Sequence, residues 1–243
     1  MNHKLNDNLA VIIPAYNEGE RIASTIADIR KFSNADIIVV SDGSTDNTVS
    51  EAKAAGADAD VIELPFNLGY GAALQTGFKY ALKKGYKFAI QMDADGQHDP
   101  SSIQSLIIPV LDGEVDIAVG SRFLGGGDYK APFIRRSGML FFSFIASIFT
   151  GKRVTDPTSG FQALNRKAME FYASDAYPVD YPDADVIIML HRRGIKFREI
   201  PVTMKMAVGK VSMHSGFKPF YYTFKMLLSI LVTLLRNKGE EGL

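Results

Sequence analysis

The chain has 243 residues, 47% of them hydrophobic, with 27 Lys+Arg balancing 27 Asp+Glu and no cysteine. That is enough apolar sequence for one large α/β domain or two small ones, and too much for a disordered chain. Balanced charge excludes a general affinity for nucleic acid, so any anion site is local, and the missing cysteines exclude disulfides, thiolate metal sites and a Cys nucleophile.

Met1–Asn8 is polar and lacks the basic-then-apolar pattern of a signal peptide, which predicts a catalytic part in the cytoplasm. Short apolar runs then follow at Leu9–Ile13, Asp36–Ser41, Asp60–Leu64, Phe88–Met92 and Asp116–Gly120. Helix-length stretches separate them: Glu18–Phe32, Thr45–Ala55, Gly69–Lys83 and Pro100–Leu111. This alternation predicts βαβ units and a parallel sheet covered on both faces. Ligands of such sheets bind beyond the carboxyl ends of the strands. The polar segments fall there: Pro14–Glu18 after the first run, Asp42–Asp46 after the second, Asp93–Gln97 after the fourth.

Asp93 and Asp95, two residues apart just past a buried strand, can share one hard cation, with Gln97 adding a neutral oxygen. Mg²⁺ and Mn²⁺ take one or two carboxylates plus substrate phosphates. The alternative is a solvated acidic turn before the helix that Asp99-Pro100 opens. His98 reads as an exposed loop histidine or as a fourth ligand. Asp42 can accept hydrogen bonds from a base or ribose, while Asp42 or Ser44 can instead cap the helix near Thr45. Gly69 and Gly71 let backbone approach a ligand; Leu74 replaces the third glycine of a dinucleotide fingerprint, which argues against a nicotinamide oxidoreductase. Arg122, Arg135 and Arg136 carry planar paired donors suited to phosphate, although adjacent surface arginines are also ordinary.

Farther along, Ser137–Thr150 reads as a helix with Ser143, Ser147 and Thr150 on one face and Phe/Ile elsewhere. Asp183 and Asp185 precede the helical stretch Val186–Arg193, as candidate bases or as partners of its amino terminus. Lys205, Lys210 and His214 lie in or beside the Gly/Ser-containing stretch Met204–Gly216, read as a loop. Phe217–Arg236 puts Phe217, Phe220, Tyr221, Phe224, Leu227, Leu228, Leu231 and Leu235 on one stripe, with Lys218, Lys225, Ser229 and Arg236 opposite. Such a helix suits a membrane interface; a core helix or a dimer contact is the alternative. Met139–Phe149 and Met226–Leu235 are too short to span a bilayer, which takes about 20 apolar residues.

Six segments, in order over residues 9–205, carry a resemblance: Val11–Glu18 (VIIPAYNE), Ser41–Thr48 (SDGSTDNT), Asn67–Gly71 (NLGYG), Gln91–Pro100 (QMDADGQHDP), Gly120–Phe123 (GSRF) and Asp156–Phe161 (DPTSGF). They resemble the family 2 glycosyltransferases, above all the dolichyl- or polyprenyl-phosphate hexose synthases. The resemblance implies a GT-A, Rossmann-like α/β fold with a mostly parallel central sheet, a catalytic domain over 1–210 and an amphipathic interface helix and tail over 211–243. It implies an inverting transfer of a hexose from a GDP- or UDP-sugar to a polyprenyl phosphate, peripheral on the inner face of the membrane.

The resemblance also distributes roles. Pro14, Ala15, Tyr16, Glu18 and Asp42 line the nucleotide pocket, with Asn67, Gly69 and Gly71 beside it. Asp93, Asp95 and Gln97 hold Mg²⁺ or Mn²⁺ on the donor diphosphate. Arg122 and Arg136 bind the acceptor phosphate, Ser159 and Gly160 border the sugar, and Lys205 reaches a phosphate from a gating loop. If the acceptor is instead a sugar hydroxyl, Asp183 or Asp185 is the base. A small membrane partner protein or a homo-oligomer is possible. A sugar nucleotidyltransferase is disfavoured, because PAYNE stands where its Gly-rich basic loop belongs, and an inactive scaffold is disfavoured by the intact Asp93, Asp95 and Gln97.

Overall fold

The computed structural model describes residues 8–56, 60–124, 133–178, 182–205 and 218–235, with side chains omitted for 133–135 and 218–222. Its strands are β1 (Leu9–Ala15), β2 (Asp36–Ser41), β3 (Val61–Glu63), β4 (Phe88–Gln91), β5 (Ile117–Ser121), β6 (Gln162–Asn165) and β7 (Phe197–Pro201). Its helices are α1 (Ile22–Arg30), α2 (Thr48–Ala54), α3 (Tyr70–Lys84), α4 (Ile103–Leu111), α5 (Phe133–Thr150), α6 (Arg166–Tyr172), α7 (Ala184–Arg192) and α8 (Lys218–Leu235).

β1 is buried along its whole length, and its side chains alternate between two cores. Ala10 and Ile12 face Leu74 and Phe78 of α3, with Met169 and Leu190 beyond. Val11 and Ile13 face Ile22, Ile26 and Ile29 of α1, with Leu106 and Ile107 of α4. A strand covered on both sides has no polar face to show, which is why LAVIIPA reads as one apolar run.

The sheet order is β3-β2-β1-β4-β6-β5-β7. β1, β2, β3 and β4 pair in parallel, as do β5 and β7. Between β4 and β5 lies β6, antiparallel to both. Reversal of this one strand matters for the site. The other strands leave at one edge of the sheet, and β6 starts from that same edge, so the loop ahead of Gln162 arrives where the polar segments leave.

Two helices begin later than the apolar periodicity suggests. α1 starts at Ile22, not Glu18, because the Glu18 N–H is held by Thr48 Oγ1 at 2.8 Å and the Gly19 N–H by Asp46 at 3.0 Å. α2 starts at Thr48 because Asp46, rather than Asp42 or Ser44, accepts the Thr48 N–H at 3.0 Å. Asp99 accepts the Ser101 N–H and opens a short 3₁₀ turn at Pro100–Ser102 ahead of α4. On the far flank α5, α7 and α8 pack together around Phe142, Ala184, Ile188, Met226 and Ile230. Among the described residues no helix is long and apolar enough to cross a membrane.

Candidate functional site

The site is built where β1, β2, β4 and β5 end. After β1, Pro14 and Ala15 are buried within the strand and Glu18 is buried beside Arg21, its Oε2 3.3 Å from the guanidinium. Tyr16 and Asn17 are the exposed members of the segment. Asn17 has φ 52°, and its Oδ1 accepts the Thr45 N–H at 2.9 Å, tying the first loop to the second.

Asp42 was expected to reach a base or ribose. It is 3% exposed, and its Oδ1 and Oδ2 accept the Leu68 and Gly69 N–H groups at 2.7 and 2.9 Å. It therefore shapes the Asn67–Gly71 loop from beneath. Gly43, φ +66°, allows that close approach: a Cβ there would lie 2.5 Å from the Asn67 backbone nitrogen. Asn67 is exposed above this clamp, Gly69 starts α3 at φ 101°, and Gly71 is buried in its first turn.

Asp93 and Asp95 leave β4 in a loop pinned by α1, where Thr25 Oγ1 donates to the Ala94 carbonyl at 3.0 Å. The Tyr70 hydroxyl donates to Asp93 Oδ1 at 2.7 Å and accepts from Gln91 Nε2 at 3.1 Å. Burial of that hydroxyl, and then the Asp93 charge, push its ionisation well above the usual tyrosine range. Gln97 gives its backbone N–H to Asp95 Oδ1 and its side-chain amide to Asp95 Oδ2. Gln97, the expected third ligand, thus also orients Asp95. His98 is not an exposed loop residue, and its Nε2 stands 3.6 Å from Asp93 Oδ2. It is 5% exposed, stacked on Phe161 at 4.9 Å, and its Nδ1 accepts the Asp93 N–H at 3.1 Å.

Across from Asp93 lies Gly160. A Cβ on it would stand 2.8 Å from the Tyr70 hydroxyl and 3.2 and 3.3 Å from the two Asp93 oxygens. The absent side chain leaves space beside a carboxylate, lined by the Tyr70 hydroxyl and the two Asp93 oxygens, with the His98 imidazole behind them. Both features fit a hard divalent cation that keeps places for phosphate oxygens. Among the described residues no third His, Cys, Asp or Glu joins the pair.

Arg122 is turned into the protein. It is 7% exposed and forms a two-pronged pair with the fully buried Asp156, Nε at 2.7 Å and Nη2 at 2.5 Å, and also reaches Thr158 at 2.9 Å. Its guanidinium braces the Asp156–Phe161 loop from inside. Ser159, 3% exposed, likewise sits within the loop. A residue that sequence reading passed over completes the brace: Glu199 of β7 accepts the Thr155 and Asp156 N–H groups at 2.8 and 2.6 Å. Burial raises its carboxyl, opposed by those bonds. No isolated motif marks Glu199; its meaning lies in a contact to residues more than forty positions away.

The remaining candidates divide. Arg136 is exposed on α5. Asp185 is fully buried: Oδ1 accepts the Asp183 and Val186 N–H groups at 3.1 and 2.8 Å, and Oδ2 takes the Ser229 hydroxyl of α8. It is a tie within the first turn of α7 and across to α8, not an accessible base, and burial raises its carboxyl. Asp183 is half-buried just ahead of that helix. Lys205 serves through its backbone, its N–H on the Gln97 carbonyl at 2.7 Å, while its ammonium points towards Asp28 at 3.9 Å. Arg135, Lys210 and His214 lie outside the residues whose side chains are described.

α5 and α8 each turn an apolar face outward. Leu140, Phe144 and Ile148 continue the i, i+4 row that Arg136 begins, with Phe141 and Phe149 beside it. On α8, Phe224, Leu227, Leu228, Leu231 and Leu235 are exposed, while Met226, Ile230 and Thr233 face the protein. These five members of the stripe are as the spacing predicts; Phe217, Phe220 and Tyr221 lie outside the residues whose side chains are described. The opposite side packs on α7 through Met226, Ile230 and Ser229, which is why Ser229 meets Asp185; Arg236 and the side chain of Lys218 lie outside the described residues.

The family model for glycosyl transferase family 2 matches residues 10–172. An uncharacterized protein of Methanocaldococcus jannaschii is 34% identical over 230 residues, covering 91% of this chain and 92% of that protein. The UDP-N-acetylglucosamine–dolichyl-phosphate N-acetylglucosaminyltransferase of Methanococcus voltae is 30% identical over 233 residues, covering 87% of this chain and 92% of that protein. The crystal structure of Mycobacterium tuberculosis glucosyl-3-phosphoglycerate synthase with Mn²⁺ and UDP-glucose has the same fold, with a TM-score of 0.66 at 20% identity, over 93% of this chain and 78% of that one.

Proposed function

The chain belongs to glycosyl transferase family 2, and from that premise we propose that it moves a hexose from a GDP- or UDP-linked donor to a polyprenyl phosphate, at the cytoplasmic face of a membrane. The observation that carries the acceptor class is the row on α5, where exposed Arg136 heads Leu140, Phe144 and Ile148. A cation in line with apolar side chains suits an amphiphile with a phosphate head. α5 is fastened to the site through Ser143 and Ser147, which hydrogen-bond the Val154 backbone next to Thr155. The printed activity of the Methanococcus voltae relative, with its dolichyl-phosphate acceptor, supports the same reading.

Asp93 and Asp95 would hold Mg²⁺ or Mn²⁺, steadied by Tyr70 and Gln97. When bound, such an ion neutralises the leaving diphosphate as a Lewis acid. Tyr16 after β1, and Asn67 on the loop that Asp42 sets, offer the exposed surface for the nucleotide. A single in-line displacement at the anomeric carbon then needs a nucleophile held close. A phosphate acceptor is already ionised near pH 7, its second pKa being about 6. It needs positioning rather than a base, in keeping with the burial of Asp185. Arg136 supplies that positioning directly, and Arg122 does so only by bracing the loop that bears Ser159 and Gly160.

The outward faces of α5 and α8 form the membrane-facing side in this reading, with 1–210 as the catalytic part and 211–243 as the interface helix and tail. The test is incubation with polyprenyl phosphate, Mn²⁺ or Mg²⁺ and a panel of GDP- and UDP-sugars, followed by mass spectrometry. A metal-dependent glycolipid is expected. Nucleotide binding without a glycolipid from any donor would overturn the lipid-phosphate acceptor and favour a hydroxyl acceptor with Asp183 as base.

A further inference from the structure

The loop from Thr155 to Gly160 has no regular secondary structure, yet it delivers Gly160 against Asp93 and Tyr70. Its position is set from the opposite end, by an edge strand. Both oxygens of Glu199 take the Thr155 N–H, at 2.8 Å each; one takes the Thr155 hydroxyl at 2.9 Å and the other the Asp156 N–H at 2.6 Å. The same Thr155 hydroxyl meets Ser121 at the end of β5, at 2.7 Å. Asp156 then takes the Arg122 backbone N–H and guanidinium, and Arg122 reaches Thr158. The polar groups of residues 155, 156 and 158 are thus linked in one network that starts at Glu199 and ends two residues from Gly160.

Glu199 shares a cleft with basic side chains. It lines an open cleft of about 250 Å³ together with Lys152, Arg153 and Arg198. Among the described residues its carboxylate pairs with none of these cations and turns to the loop instead. Nor is it needed for strand pairing, since β7 holds its register on β5 through backbone from Phe197 to Pro201.

We propose that Glu199 is a positioning residue, whose carboxylate fixes the Thr155–Gly160 loop and so sets the acceptor side of the site against the Asp93 side. This deepens the transferase reading and rests on it for turnover. Its structural half stands alone and is read by hydrogen exchange.

Glu199→Gln keeps the shape but turns an N–H donor towards the loop's own N–H donors. Losing hydrogen bonds to a charged group predicts about tenfold faster amide exchange across residues 154–161, with peptides from β1, β2 and β4 unchanged. It also predicts kcat lower by about tenfold with the donor KM unchanged, the split expected when only loop placement is lost. Thr155→Val removes one hydroxyl and leaves the carboxylate and both N–H bonds. It gives a smaller change in the same direction, about two- to threefold, and decides the matter if the first variant does not fold. Unchanged exchange at 154–161 in both variants overturns the proposal. Faster exchange over the whole sheet, with donor KM rising in step, overturns it equally, because Glu199 would then only support the fold. If the wild-type protein transfers sugar to no acceptor, the transferase reading fails and the exchange result still decides the role of Glu199.

Discussion

Arg122 and Arg136 look alike in the sequence and differ in the fold. Arg122 neutralises a wholly buried Asp156. Removing one partner of such a pair leaves an uncompensated charge and costs about 3–5 kcal/mol. Arg122→Ala is therefore expected to lower Tm by roughly 10 °C in differential scanning fluorimetry, and its loss of activity is a loss of structure. Arg136→Ala changes an exposed side chain, so Tm should hold while the KM for polyprenyl phosphate rises about tenfold or more. Equal Tm losses in the two variants would contradict the assignment. Asp185 gives a second contrast. Burial raises its folded-state pKa above the unfolded value of 3.8, so its contribution to stability falls as pH rises from there and stays lower at neutral pH. Asn keeps an acceptor for the Asp183 and Val186 N–H groups and adds a donor for Ser229. Asp185→Asn should gain on the order of 1 kcal/mol at pH 7, about 2–4 °C in Tm, with the gain vanishing near about pH 3, and should retain turnover. A catalytic base would instead lose it.

At the scale of elements, α8 shows how one helix serves two neighbours. Met226, Ile230 and Thr233 seal it to the protein, and Phe224, Leu227, Leu228, Leu231 and Leu235 stay outside. An exposed face of that size needs a cover, and the proposed cover is the membrane interface. Leu228→Glu with Leu231→Glu changes only exposed positions, so the thermal midpoint is expected to hold. The partition constant on vesicles, read by co-sedimentation, should fall by about a hundredfold or more, since each of the two buried apolar side chains contributes about 1.5–3 kcal/mol. Undiminished sedimentation would show that α8 is not the docking face. The same division explains α5: its hydroxyl face is drawn inward to Val154 by unsatisfied backbone groups, and its Phe-rich face is left outside.

For the whole molecule, one antiparallel strand organises the site. Because β6 runs against β4 and β5, Gly160 at its approach meets Asp93 at the exit of β4. A ligand bridging these loops stabilises the entire fold by mass action. With UDP or GDP and Mn²⁺ at about 100 times Kd, the gain is about 2.7 kcal/mol, a Tm rise of roughly 5–10 °C. Asp95→Ala, which leaves the core untouched, is expected to lose the metal-dependent part of that shift together with turnover. A full shift in the variant would remove Asp95 from the metal site.

Local pattern alone determined the βαβ alternation, the strand ends that carry the polar segments, the acidic Asp93–Asp95 pair and the amphipathic stripe of α8. Each follows from a short-range rule: apolar runs make buried strands, and turn-forming polar residues gather at their carboxyl ends. Whether a polar side chain faces a ligand or faces the protein was decided only by tertiary contacts. Asp42 grips a loop 26 residues away, Arg122 a carboxylate 34 residues away, and Glu199 a backbone 43 residues away. The position of β6 belongs to the same class, since a four-residue strand carries no mark of its neighbours. Hydrogen-bond partners that distant leave no periodicity along the chain; they exist once burial removes water and each buried donor and acceptor must find another group.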